Sequence, residues 1–133
     1  QLDKKCTIRV RSTISSTVTK NTLTIKGPTS ASGMSRYEYE TKLSKLESNN
    51  LFKICHKPII EKTRYIFIYN NMKWELDEFH GENQGLLIGE IELENEWAQF
   101  DIPNFVLKEV TGEIRYYNSM LQQQPYKNWT DIS

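Results

Sequence analysis

The 133-residue chain lacks net charge, with 17 Lys and Arg against 17 Asp and Glu. Neutrality removes the long-range attraction that draws basic proteins to nucleic acid or anionic membranes, so neither partner is expected. Any polyanion chemistry must come from local segregation of charge. There is no run of roughly 18 apolar residues to span a membrane and no charged-then-apolar leader, which points to a cytoplasmic protein. Cysteine is scarce: Cys6 and Cys55 lie in no CxxC or Cys/His cluster and read as small buried hydrophobes. His56 and His80 have no metal-partner spacing. Low-complexity segments, linkers and internal repeats are also missing. The length and a hydrophobic share of 38% suit one compact domain over residues 1–133.

What is present is alternation. Thr7 to Arg11, Thr22 to Lys26 and Arg36 to Glu40 alternate polar and apolar residues, as half-buried strands do. The Ser/Thr run from Ser12 to Asn21 and the stretch Gly27 to Ser35 read as loops. Thr41 to Phe52 suits a short amphipathic helix. Ile59 to Tyr69 and Lys73 to Phe79 flank Asn70-Asn71, a pair that tolerates positive φ and predicts a tight hairpin. Leu86 to Glu94 alternates again. Thr111 is placed to cap a helix over Glu113 to Gln124, with Ile114, Tyr117 and Leu121 on one stripe and Pro125 as its stop. Trp97, Phe100 and Trp129 read as packing residues.

Successive strand side chains point to opposite sides, so residues two apart share a face. Arg9 and Arg11 share one, as do Glu38 and Glu40, Lys62 and Arg64, Glu75 and Asp77, and Glu90 and Glu92; Lys26 shares another with Thr22 and Thr24. The plain account is a set of strands with charges facing water. Like-charged pairs recurring on strand after strand favour a second account, in which acidic and basic pairs neutralise one another around a barrel lumen. The apolar faces would then point outward, covered by helices. Such a lumen offers hard carboxylate oxygens for Mg²⁺ or Mn²⁺ and Arg and Lys for a polyanion, which is equipment for phosphoryl transfer. Aromatic residues alternate away from the charges, which disfavours a single-strand nucleic-acid platform.

At these same residues the sequence resembles the CYTH superfamily, the triphosphate tunnel metalloenzymes. The match runs through IRVR at 8–11, LTIKG at 23–27, RYEYE at 36–40, KTRY at 62–65, WELDEF at 74–79, GENQGLLIGEIELE at 81–94 and EVTGEIRYYNSML at 109–121. The order of these segments is far more specific than any one of them. The resemblance, nearest to the short bacterial branch, implies an α+β fold: an antiparallel eight-stranded barrel, or tunnel, with a few flanking helices.

The activity implied is divalent-metal-dependent hydrolysis of inorganic triphosphate. Relatives that cyclise ATP or hydrolyse thiamine triphosphate keep a nucleoside triphosphate open as substrate, and a non-catalytic polyphosphate binder is the alternative from another class. By the same resemblance Arg9, Arg11, Lys26, Lys62, Arg64 and Arg115 would bind substrate, although a helix-to-barrel salt bridge is an equal role for Arg115. Glu90 and Glu92 would hold the metal. Glu38, Glu40 and Asp77 would add acidic ligands or orient the attacking water, and Lys62 would assist the water or the departing phosphate. The family's ExExK signature does not precede IRVR, so the first strand of the tunnel is expected to be missing from this chain. The oligomeric state, monomer or homodimer, is left open.

Overall fold

The computed structural model describes residues 1–33, 35–95 and 97–131. The chain forms two compact units, Gln1–Cys55 and His56–Ser133. Each holds a three-stranded antiparallel sheet, and one α-helix lies in each unit. The α+β class with antiparallel pairing is as expected; the described residues contain six strands.

In the first unit β1 (Thr7–Ser15), β2 (Val18–Lys26) and β3 (Glu38–Lys42) form a meander in that order. Ser12 to Asn21, expected as a loop, is instead the arm of a long hairpin whose pairing runs from Thr7↔Lys26 to Ser15↔Val18, with Ser16 at φ 53° in the bend. The run is polar but rich in Thr, with Ile14 and Val18. β-Branched residues favour extended backbone even where both faces are exposed, so polarity mimicked a loop. The third strand starts two residues later than its alternation suggested.

After β3, α1 (Lys45–Lys53) begins at Ser44, whose Oγ accepts from the Glu47 backbone N–H at 3.1 Å while Glu47 Oε1 accepts from the Ser44 N–H at 2.9 Å. This reciprocal cap satisfies two donors that the first helical turn leaves unpaired. The backbone hydrogen bond from Ser44, then the side-chain bond, holds the Glu47 carboxyl below its usual range. The helix is tied to the sheet by Ser48 Oγ donating to Asn21 Oδ1 at 3.4 Å. Cys6 and Cys55 are free and half-buried, less enclosed than expected.

The second unit is built on β4 (Lys62–Tyr69), β5 (Met72–Phe79) and β6 (Leu87–Ile91), again in sequence order. Asn70 and Asn71 both take positive φ, 48° and 60°, as a two-residue turn matched to strand twist requires. One face of this sheet is aromatic. Trp74, 5% exposed, meets the Phe100 and Phe105 rings edge-on at 6.5 and 5.9 Å, and Phe105 also meets Phe67 and Tyr69. The cover on this apolar face is therefore irregular chain, not a helix. Trp97, expected to pack, is 80% exposed.

Phe79, Leu86 and Leu121 form the buried core, with Ile60, Ile88, Tyr116, Tyr126 and Trp129 against it. The helix expected over Glu113 to Gln124 is broken: a 3-10 turn at Ile114–Tyr116 and α2 (Asn118–Gln123) are separated by Tyr117 in extended conformation. Gly112 at φ 80° denies Thr111 its capping role, and Arg115 is drawn onto Trp129 and Asp131, so tertiary contacts override the periodicity. Of the expected stripe only Leu121 is buried; Ile114 and Tyr117 are exposed.

Candidate functional site

Strand register, not sequence spacing alone, decides which charges become neighbours. In the first unit the rows are Thr7↔Lys26↔Glu38 and Arg9↔Thr24↔Glu40, so cations of β1 and β2 and acids of β3 fall on one face. Lys26 Nζ stands 3.6 Å from Glu38 Oε1, and Thr24 Oγ1 donates to Glu40 Oε1 at 3.1 Å. Thr22 and Thr24 on this face are buried, so it is not a wholly solvated polar surface. Arg11 shares it through the row Arg11↔Thr22. Arg9 Nε is buried and has no hydrogen-bond partner among the described residues. An unpaired buried N–H is costly, and an anion is a suitable partner for it.

In the second unit Arg64 lies opposite Asp77, and Ile66, Glu75 and Glu90 form the next row. Asp77, 3% exposed, accepts from Lys62 Nζ at 2.7 Å, from Arg64 Nε at 2.7 Å and from Arg64 Nη2 at 2.8 Å. Arg64 Nη1 pairs with Glu75 Oε2 at 2.9 Å. Burial works to raise the pKa of Asp77, but the hydrogen bonds from Arg64 and Lys62 outweigh it and hold the carboxyl below its usual value. The hydrogen bond to Asp77 raises the pKa of the Arg64 guanidinium further, so it stays charged.

Glu75 and Glu90 face each other directly across β5 and β6, and with Lys73, Ile91 and Glu92 they line a cleft of about 260 Å³. Lys73 was not singled out from the sequence. Alternation would have found it, since it precedes Glu75 by two positions. Like charges opposite one another repel unless a cation intervenes.

The pattern of the CYTH domain matches residues 1–120. The chain belongs to the CYTH family. An inorganic triphosphatase of Acetivibrio thermocellus is 48% identical over 113 residues, which cover 84% of this CYTH chain and 71% of that protein. No solved structure matches.

For a CYTH metalloenzyme the test is whether a hard divalent cation fits. The donor chemistry does: Glu75, Glu90 and Glu92 bring carboxylate oxygens to one cleft. Among the described residues, no group of three or more His, Cys, Asp or Glu is already assembled as a metal cage. Mg²⁺ retains several waters and needs few protein ligands, so a preassembled cage is not required.

Arg115 stands apart from these charges. Its guanidinium lies 4.4 Å from the Trp129 ring centroid and 5.3 Å from that of Tyr116, while Nη1 donates to Asp131 Oδ2 at 2.8 Å. Its ion pair goes to Asp131 beyond the last turn and not to a strand, so it is not the helix-to-barrel bridge expected for it. His80 Nε2 lies 2.7 Å from Thr63 Oγ1, an ordinary polar contact.

Proposed function

We propose that this CYTH chain is a divalent-metal-dependent hydrolase of inorganic triphosphate. The observation that carries the reading is the 48% identical inorganic triphosphatase. The strand faces supply the chemistry such a reaction needs. Arg9, Arg11 and Lys26 of the first unit and Lys62 and Arg64 of the second are the proposed phosphate-binding cations. Glu90 and Glu92, with Glu38 and Glu40, are the proposed ligands of Mg²⁺ or Mn²⁺. The eight-stranded tunnel implied by the resemblance, as one CYTH domain, belongs to the same reading.

Water attacks a terminal phosphorus, the P–O bond to the diphosphate leaving group breaks, and phosphate and diphosphate result. A bound divalent cation supplies charge neutralisation at the phosphate oxygens and acidifies water. The chain's own part is positioning and electrostatics: Arg by forked hydrogen bonds, Lys as compact charge. Lys62 is the cation proposed to assist the water or the departing phosphate, with Glu38 and Glu40 orienting the water.

The test is phosphate release by the full-length protein from tripolyphosphate, ATP and thiamine triphosphate, with and without Mg²⁺ or Mn²⁺. Metal-stimulated release, fastest from tripolyphosphate, is expected. Turnover of none of the three would sink the reading, and cyclic AMP made from ATP without phosphate release would replace it with cyclisation.

A further inference from the structure

Asp77 shares its strand face with Glu75, yet the two carboxylates are used differently. The Asp77 side chain is 4% exposed, against 20% for Lys62 and 37% for Arg64, so a buried anion anchors two cations that reach further out. Arg64 presents its Nε and Nη2 to the two oxygens of Asp77 as a fork, and Lys62 Nζ takes the same Oδ2 as Nη2. The fork fixes the plane of the guanidinium, and the contact of Nη1 with Glu75 fixes it from a second direction. The Phe79 ring, 5.5 Å from Lys62 Nζ, holds the ammonium from a further side.

Donor counting shows what remains. Arg has five N–H groups and Lys three. With the contacts above made, Arg64 keeps one N–H on each of Nη1 and Nη2, and Lys62 keeps two, for a phosphate oxygen. A divalent cation placed on Asp77 would displace these hydrogen bonds and meet two positive charges at contact distance. Glu75 gives Arg64 only Oε2 and lines the cleft with Glu90 and Glu92, where three carboxylates face the single ammonium of Lys73.

We propose that Asp77 is a positioning residue, which holds Lys62 and Arg64 with their remaining donors turned to phosphate and does not itself ligate the divalent cation. This rests on the triphosphatase reading, and it departs from the family-based expectation that Asp77 adds to the metal ligands. Replacing the carboxylate by an amide keeps the shape but offers one acceptor where two are used, so both cations lose their common anchor. The consequence falls on substrate binding.

The experiment compares full-length wild type with Asp77→Asn in two measurements: steady-state kinetics with tripolyphosphate, and titration of Mn²⁺ in the absence of substrate. Expected is a rise of about tenfold or more in KM, the size usual for losing a residue that orients a functional side chain. Mn²⁺ affinity should stay within about twofold of wild type, whereas loss of a ligand costs about tenfold or more. Mn²⁺ affinity falling tenfold overturns the proposal, as does an unchanged KM. Should Asp77→Asn fail to fold, the wild-type Arg64 Nε–H proton decides by NMR. It persists on adding Mg²⁺ if Asp77 keeps its cations, and its loss, with Asp77 handed to the metal, refutes the assignment. The metal titration and the NMR signal do not depend on turnover, so an inactive wild type would count against the triphosphatase reading alone.

Discussion

Lys62 and Arg64 of the second unit are pinned by contacts of 2.7 to 2.9 Å to Asp77 and Glu75, whereas Lys26 of the first unit stands 3.6 Å from Glu38 and Arg9 keeps a buried Nε without a partner among the described residues. The charge balance differs as well. Arg9, Arg11 and Lys26 exceed Glu38 and Glu40 in the first unit; Glu75, Asp77, Glu90 and Glu92 exceed Lys62, Arg64 and Lys73 in the second. A face with excess carboxylate attracts a metal cation, and one with an unmatched Arg attracts an anion. The two sheets share a topology but hold their charges differently: one is organised around a buried carboxylate, and the other retains an Arg Nε without a partner among the described residues.

The largest effect should come from the acid-rich side. Replacing Glu90 and Glu92 together by Gln removes the two proposed hard ligands while keeping their volume. Activity with Mg²⁺ should fall about a thousandfold, which corresponds to about 4 kcal/mol of transition-state stabilisation. Stability should rise slightly, by about 0.5 kcal/mol, because Glu75 no longer faces a like charge across the strand pair. Kinetics and thermal unfolding of the one variant check both. A loss of fold in place of a loss of activity would erase the division between a metal-binding and a structural role on this face.

Next in size is Arg64→Gln, which leaves Asp77 buried with half its partners. Breaking a buried pair costs about 3–5 kcal/mol, and the partial exposure of Arg64 reduces this to about 2 kcal/mol, measurable by urea unfolding. The same network sets an acid limit. The folded Asp77 carboxyl has a pKa below its ordinary 3.8, so its stabilisation is complete above that value and is lost as pH falls through the depressed one. Wild type should therefore lose stability on acidification from about pH 4 downward more steeply than Arg64→Gln does. Parallel acid profiles would show that the network contributes little.

Much of this was legible in the strand pattern. Period-two alternation placed Arg9 with Arg11 and Lys62 with Arg64, and Asn70-Asn71 gave the hairpin, because each depends only on local geometry. Register was not legible. That Asp77 meets both Lys62 and Arg64, while Glu75 faces Glu90, depends on how β4, β5 and β6 align, and no single strand carries that information. The hairpin arm at Ser12 to Asn21 was missed because polar β-branched residues serve loops and exposed strands alike. Arg115 sits in a family motif, yet its partner Asp131 lies 16 residues away and is brought close only by the turns around Tyr116 and Trp129.

Arg9→Gln is the sharper probe of the first unit, with a smaller effect. Its Nε makes no hydrogen bond among the described residues, so removing it leaves no partner stranded. Stability should change by no more than about 0.5 kcal/mol, while KM for tripolyphosphate rises about tenfold, equivalent to about 1.4 kcal/mol of lost binding. A stability loss near that of Arg64→Gln would mean that the first unit's cations are anchored as firmly as the second's, and the contrast between the faces would fail.

The smallest informative change lies off both faces. Ser44→Ala removes the Oγ that accepts from the Glu47 N–H and weakens the reciprocal cap of α1, which should cost about 1 kcal/mol in denaturant unfolding. The helix is fastened to the first sheet through Ser48 and Asn21, and Asn21 sits one position before Thr22, whose neighbours Thr24 and Lys26 carry the polar face. If the cap supports only the helix, KM is unchanged when Ser44 is replaced. If α1 holds the proposed phosphate-binding face of the first sheet in shape, the lost stability is accompanied by a higher KM for tripolyphosphate. The corresponding loss in the second unit would need a change at Asp77 itself, because there the proposed phosphate-binding side chains, Lys62 and Arg64, are braced by one carboxylate.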